Sequence, residues 1–531
     1  MKKIYSIGIL SAILATTACK PEFEDPINEQ TYYSGEADFS TYVAVGNSLT
    51  AGYMDGTVFR SGQKFSFPNI LAAQMKVVGG GEFTQPSFEE DINDIGGLVL
   101  GGNIIGTTRM TILMNGGQSS AVNVSGTPTI ELTNLQKKAY NNMGVPGAKS
   151  FHLLATGYGN LAGLATGTAN PYFVRHATSE TATILGDAAS QNPTFFTNWI
   201  GSNDVLFYAI SGGIGVDQTG NLNVASYGPN DITDPNVFAH AYNTIINTLT
   251  TNGAKGVVAT IPDVTSIPYF TTIPYNVITP ERAGGETNIN NLNSRLFTPL
   301  KMVLTSLGAG DRIQEYSLTG ANPLLIIDET LPDLTNQIKA VASQIPQLAP
   351  FATTLGQLYG QARHATEQDL IVLRAMNIIG VVETVAPELS LLPEQYKEIF
   401  GVHGVTYPLR DQFTLTASER LSVETATNSY NNIIRTIASQ KDLAVADMNA
   451  IMRNLLSGIY TGDGQRYTAN YFQGQANMNT VLFSLDGIHP NARGYAFVAN
   501  EVIKVINEKY KANLPRVLVA NYPGIKIITS N

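Results

Sequence analysis

Tyr42-Val43-Ala44-Val45-Gly46-Asn47-Ser48-Leu49-Thr50-Ala51-Gly52-Tyr53 is the stretch on which the fold class turns. Its first four residues form a short apolar run, fit for a strand buried on both faces of a parallel sheet. Gly46 ends the run. A Ser just beyond a buried strand, beside a helix start, stands at the edge of the sheet, where its own N–H can face a developing negative charge. The same residues also suit an ordinary turn or helix cap, and the segment alone does not separate the two readings.

Outward from this stretch, strand, loop and helix recur. Phe195–Ile200 is a second apolar run, ending at Gly201. Asp234 and Pro235 open a helix as N-cap and first helical residue. Phe238, Tyr242, Ile245 and Leu249 lie on its apolar stripe, and Gly253 stops it. Val257–Ile261 reads as a strand, Tyr430, Ile433, Ile434 and Ile437 mark a helix, and Leu443–Ala446 is a further strand. A last long helix is expected from Pro490 to about residue 509. Such alternation predicts an α/β domain with a parallel sheet.

Two stretches break the alternation. Residues 78–135 are Gly-rich with β-like runs such as Thr111–Met114. Residues 265–425 hold helix-like segments, Glu367–Ile379 among them, between Pro-rich loops. Both read as insertions, the first β-rich and the second mainly helical. Ligands of parallel α/β sheets bind beyond the C-terminal strand ends. The insertions are therefore candidates for walls or a cap over a site, with plain surface scaffold as the alternative.

At 531 residues the chain exceeds one compact core and calls for a large domain with insertions or for two domains. Hydrophobic residues make up 43% and charged residues 14%, a globular balance with an uncharged polar surface. A net charge of −10 without a basic block argues against nucleic acid as a partner. At the N-terminus, Lys2 and Lys3 precede the apolar run Ile4–Ala15, which is too short to span a bilayer. Residues 1–18 read as a signal peptide. Thr16-Thr17-Ala18-Cys19 resembles a bacterial lipobox, with Thr16 where Leu is usual. Cys19 is the only cysteine, so no intrachain disulfide exists. It is expected to carry lipid, an incidental Cys being the alternative, and more than one acyl chain gives a stable anchor. Residues 19–37, with Pro21 and Pro26, read as a tether, and 38–531 as the main domain. Lys20 points to the outer membrane of a bacterial cell envelope, by analogy with lipoprotein sorting.

Three further segments carry candidate chemistry. In Asp486-Gly487-Ile488-His489-Pro490, the spacing lets the carboxylate reach the ring Nδ1–H and leaves the other nitrogen as a base; a helix-capping His beside a turn Asp is the plainer reading. Gly201-Ser202-Asn203-Asp204 ends a strand, where the Asn203 amide can donate toward the sheet edge, or is a simple turn. Asn142–Ala148 is likewise a turn, in which Gly147 can bring its N–H close to a ligand.

In this order the four segments resemble the GDSL-type esterase/lipase family, also called SGNH hydrolases, through Ser48, Gly147, Asn203, and Asp486 with His489. The resemblance implies a three-layer, flavodoxin-like parallel sheet flanked by helices. It implies Ser48 as nucleophile, His489 as base and Asp486 as its orienter. The oxyanion hole would be built from the N–H groups of Ser48 and Gly147 and the Asn203 amide. It implies ester hydrolysis without cofactor or metal, by a monomer acting on lipid acyl esters or acylated glycans. A non-catalytic lipid- or glycan-binding lipoprotein that keeps the fold is the alternative. The chain departs from the family in having Asn47 where Gly-Asp-Ser-Leu is usual. It also has Lys149 in place of a small hydroxyl residue, expected as a solvated helix residue or as a charge at the site mouth. The family does not account for the two insertions. Asp263, beyond the strand Val257–Ile261, is expected as a turn or cap, with a residue facing the cleft as the alternative. His152, His176, His240, His364 and His403 stand outside any ligand-spaced cluster, and no zinc, EF-hand or phosphate-loop motif is present.

Overall fold

The computed structural model describes residues 31–115, 118–462, 464–469 and 479–529. The signal peptide, Cys19 and most of the tether lie outside them. Five parallel strands form the central sheet: β1 (Tyr42–Gly46), β2 (Asn142–Gly144), β3 (Phe195–Trp199), β4 (Lys255–Ala259) and β5 (Ala444–Ala446). Their spatial order is 2-1-3-4-5. Ala44 lies opposite Asn142 on one side and Thr197 on the other. β1 and β3 are fully buried, which is why both read as continuous apolar runs rather than alternating ones.

Helices flank the sheet: α1 (Ser48–Ala51), α2 (Phe67–Lys76), α3 (Asn203–Ile210), α4 (Pro235–Leu249), α5 (Ala417–Gln440), α6 (Met448–Ser457) and α7 (Ala492–Tyr510). Helix α7 lies against β4 and β5 and packs on α2, while α5 contacts the same two strands and packs on α4. Asp234 caps α4 by accepting from the N–H groups of Asn236 and Val237, with Pro235 at the first position, as the sequence predicts. Thr416 and Glu419 form a capping box on α5. One core of strand and helix side chains runs through these layers, with Val43, Phe196, Ile245, Ile434 and Ile503 fully buried. In the order 2-1-3-4-5 the chain reverses direction between β1 and β3, so a crevice opens beyond their C-terminal ends.

The two long stretches are built differently from each other. Residues 78–135 are mostly irregular, with two hairpins: Val99–Leu100 with Asn103–Ile104, and Met110–Asn115 with Gln118–Asn123. The C-terminal strand Ile527–Thr529 joins the second hairpin in parallel. Residues 265–425 contain helices such as Thr298–Ser306, Thr335–Ala342 and Ala352–Tyr359 around a separate apolar core that includes Ile289, Leu325, Ile338 and Leu409.

Two local expectations are corrected. Glu367–Ile379 is not one helix: Leu370–Ile371 pairs antiparallel with Thr414–Leu415, and only Leu373–Asn377 forms a short 3₁₀ turn. The Asp369 carboxylate accepts from the Thr366 N–H and from both terminal nitrogens of Arg363. That closes a turn ahead of Leu370 and hands the next residues to a tertiary strand partner. Pro490 does not open α7 either. It is bridged to Phe483 in extended backbone, and Asn491 is the cap, accepting from the Gly494 N–H at 3.0 Å. His489 therefore stands in a bend ahead of the helix, outside it. Among the described residues no helix is long and apolar enough to cross a membrane.

Candidate active site

At the end of β1 the chain passes under β3. A Cβ on Gly46 would lie 2.6 Å from the Trp199 carbonyl oxygen and 2.1 Å from Thr50 Oγ1, so only glycine fits. Asn47 then caps α1: its Oδ1 accepts from the Leu49 N–H at 3.0 Å, and its carbonyl accepts from Thr50 and Ala51. The oxygen makes this bond, and a carboxylate in its place would make the same one. Since Asn47 is the cap, the Ser48 hydroxyl has no capping work. It lies 2.9 Å from His489 Nε2 and is 7% exposed.

The ring is held from its other side. His489 Nδ1 is 2.9 Å from Asp486 Oδ2. The second oxygen of Asp486 accepts from the Ile488 and His489 N–H groups at 2.8 and 2.9 Å, and Gly56 donates to Oδ2 at 3.1 Å. Burial works to raise the Asp486 carboxyl, but the His489 charge and these hydrogen bonds outweigh it and hold the group below the ordinary carboxylate range. Asp486 is thus an anion that fixes Nδ1 as the protonated nitrogen and leaves the Nε2 lone pair toward Ser48. The Tyr53 ring packs on the imidazole at 4.6 Å between centroids, and the Tyr495 hydroxyl donates to the Tyr53 carbonyl at 2.6 Å.

The second and third segments meet beside this relay. Gly147, just past β2, has φ +83°, a left-handed conformation that favours glycine. Asn203, the first residue of α3, donates through Nδ2 to the Ala148 carbonyl at 2.9 Å. That uses one of its two amide hydrogens and leaves the other. Asp204 accepts from the Ser150 N–H and hydroxyl at 2.8 and 2.7 Å, a second tie between the same two segments. The Ser48 and Gly147 N–H groups donate to no acceptor among the described residues. Ser48, Gly147, Asn203 and His489 line one cleft of about 1070 Å³. Its walls include Met110 and Ile112 from the first insertion and Tyr269, Leu373 and Arg374 from the second. The site residues read from sequence therefore come together around one cleft, and both insertions reach it.

Lys149 is corrected. It is 2% exposed, and its ammonium donates to the Asp231 carbonyl at 2.7 Å. Burial lowers its pKa against the opposing pull of Asp204 and Asp231, and it does not line the cleft. Asp263 is the expected cap, accepting from the Thr265 N–H at 3.0 Å. Among the described residues no group of three His, Cys, Asp or Glu side chains is placed to hold a metal ion. Comparison of the chain with protein-family models, curated proteins and solved structures finds no match.

One site residue has no sequence signature. Asp55, at φ +53°, accepts from the Leu485 N–H at 2.9 Å, and its own N–H donates to Ser484 Oγ at 3.0 Å. It clamps the loop that carries Asp486. The Met110 N–H donates to its carbonyl at 2.7 Å, tying the clamp to the first insertion. Burial pushes its carboxyl up to about 7, with the nearby Asp486 charge adding to the rise and the Leu485 N–H opposing it. A carboxyl raised above its unfolded value of ~3.9 contributes stability that is full below that value and is lost as pH rises through 7. An Asn at this position keeps the acceptor for Leu485 and does not titrate. Asp55→Asn is therefore expected to gain on the parent between pH 5 and pH 8, by on the order of 2 kcal/mol. Melting curves of both proteins at the two pH values check this, and a constant difference in Tm would remove Asp55 as the titrating group.

Proposed function

We propose that the protein is a serine hydrolase of carboxylic esters, of the GDSL-type (SGNH) kind. The observation that carries the reading is the relay Ser48 Oγ–His489 Nε2 and His489 Nδ1–Asp486 Oδ2, both at 2.9 Å, at the crevice between β1 and β3. In this reading Ser48 Oγ attacks the ester carbonyl carbon as its proton passes to Nε2. The new C–O bond leaves a charge on the former carbonyl oxygen, which the N–H groups of Ser48 and Gly147 and the second amide hydrogen of Asn203 receive. The charge collapses, the C–O bond to the alcohol breaks, and Nε2 gives its proton to the leaving oxygen. Water repeats the cycle on the acyl-enzyme and frees the acid and Ser48. Asp486 stabilises the imidazolium throughout. No step calls for a cofactor. Lipidation at Cys19 would hold this chemistry at a membrane of the bacterial envelope, with ester-bearing lipids or acylated glycans as the substrates within reach.

The test is direct. Purified protein is expected to turn over p-nitrophenyl esters and to take a fluorophosphonate covalently on Ser48, located by peptide mass spectrometry. Folded protein that does neither would leave a binding protein that keeps the fold, and would end the hydrolase reading.

A further inference from the structure

A second, narrow pocket of about 90 Å³ also reaches Ser48 and His489. Apart from Asn47, Ser48, Ser202, Asn203 and His489 at that end, its lining is apolar. Leu206 of α3, Ile267, Met452 and Leu455 of α6, and Phe497 and Val498 of α7 are among its walls. No Asp, Glu, Lys or Arg side chain borders it. The two spaces that meet at Ser48 therefore differ in both size and character: one is wide, carries Arg374 on its wall and is bordered by both insertions, and the other is narrow and apolar.

We infer that the narrow pocket binds the acyl chain, and that the substrates are esters of unbranched short-chain fatty acids whose alcohol half occupies the wide cleft. The inference rests on Ser48 being the nucleophile. The ester carbonyl must sit at Ser48 with its two substituents pointing apart. The alcohol has to take a proton from Nε2 and leave while the acyl group stays bonded, so the alcohol needs the open space. The narrow pocket suits methylenes. A sugar there would bury most of its hydroxyls against apolar side chains beyond the Ser48 end, and each unpaired hydroxyl is costly. An acetyl group would leave most of the space unfilled. An apolar cavity of ~150 Å³ takes up one benzene, so about 90 Å³ accommodates roughly three to four methylenes. Met448 and Met452, unbranched and adaptable, both line the pocket and let it fit chains of slightly different length.

The test is a chain-length series of p-nitrophenyl esters from acetyl to palmitoyl. Each buried methylene is worth about two- to fourfold in kcat/KM, so pentanoyl is expected to exceed acetyl by on the order of 10-fold, with no further gain beyond hexanoyl. Met452→Phe, which narrows the pocket, is expected to bring the pentanoyl-to-acetyl ratio down to about one. Met452→Ala, which widens it, is expected to move the optimum to longer chains. In a Ser48→Ala background, calorimetry is expected to detect pentanoate and not acetate, and Met452→Phe to abolish pentanoate binding. A flat profile, or one unchanged in both Met452 variants, would overturn the acyl pocket while leaving the hydrolase reading in place. Absence of turnover for every ester would overturn the hydrolase reading, and the pentanoate titration would still decide the pocket: binding sensitive to Met452→Phe supports it, and no binding overturns it.

Discussion

Ser48→Ala is expected to lower kcat on an aryl ester by about 10⁵–10⁶-fold without unfolding the protein. The size follows from what the hydroxyl touches. Ser48 Oγ meets His489 Nε2 at 2.9 Å, and the cap of α1 is made by Asn47. The substitution thus removes the attacking oxygen and nothing that holds the turn. The oxyanion donors would remain, since two are backbone N–H groups and the third belongs to Asn203. They account for the residual rate of about 10³–10⁴ over water seen when a triad member is lost. The checks are kcat against the parent, loss of fluorophosphonate labelling, and a Tm within a few degrees of the parent. Labelling that persisted at another serine would move the nucleophile elsewhere. A loss under tenfold with the fold intact would remove Ser48 from the chemistry.

Asp486→Asn is expected to lower kcat by about 10⁴-fold. Asp486 accepts four hydrogen bonds, from His489 Nδ1, Gly56, Ile488 and His489 N–H. An Asn keeps one oxygen, which can serve the Ile488 and His489 N–H groups, and turns a donor toward Nδ1. The ring then places its proton on Nε2, facing Ser48, and can no longer accept the hydroxyl proton. The charge that stabilises the imidazolium is lost as well. Nitrogen NMR of the His489 ring reads the tautomer directly and separates this mechanism from a misfolded loop. A drop smaller than tenfold, or an unchanged tautomer with low activity, would reject Asp486 as the orienter.

Much of the frame was legible. The runs at residues 42–45 and 195–200 read as buried strands and Asp234-Pro235 as a helix start, because these signals depend on a few adjacent residues. The Asp486-to-His489 contact was legible for the same reason: three residues suffice to close it. The failures have a common cause. Glu367–Ile379 carried a helical pattern, but the antiparallel partner Thr414–Leu415 took Leu370–Ile371 into a strand. Lys149 looked like a surface residue, but its partner is a carbonyl 82 residues away. Asp55 was invisible as a clamp because Ser484 and Leu485 stand 429 and 430 residues from it.

By itself the sequence carried, in short-range signals, most of the central strands and helices, a run ending at Gly46, and a spacing that lets Asp486 reach His489. It placed Ser48 at a strand end without deciding between turn and nucleophile. Only the tertiary structure brought His489 Nε2 to Ser48 Oγ across 441 residues, set Gly147 and Asn203 on the same cleft, and divided the space around Ser48 into a wide cleft and a narrow apolar pocket. The reason is physical. A hydrogen bond or a cavity wall depends on distance in space, and for residues hundreds of positions apart that distance is set by how the sheet, its helices and the two insertions pack together.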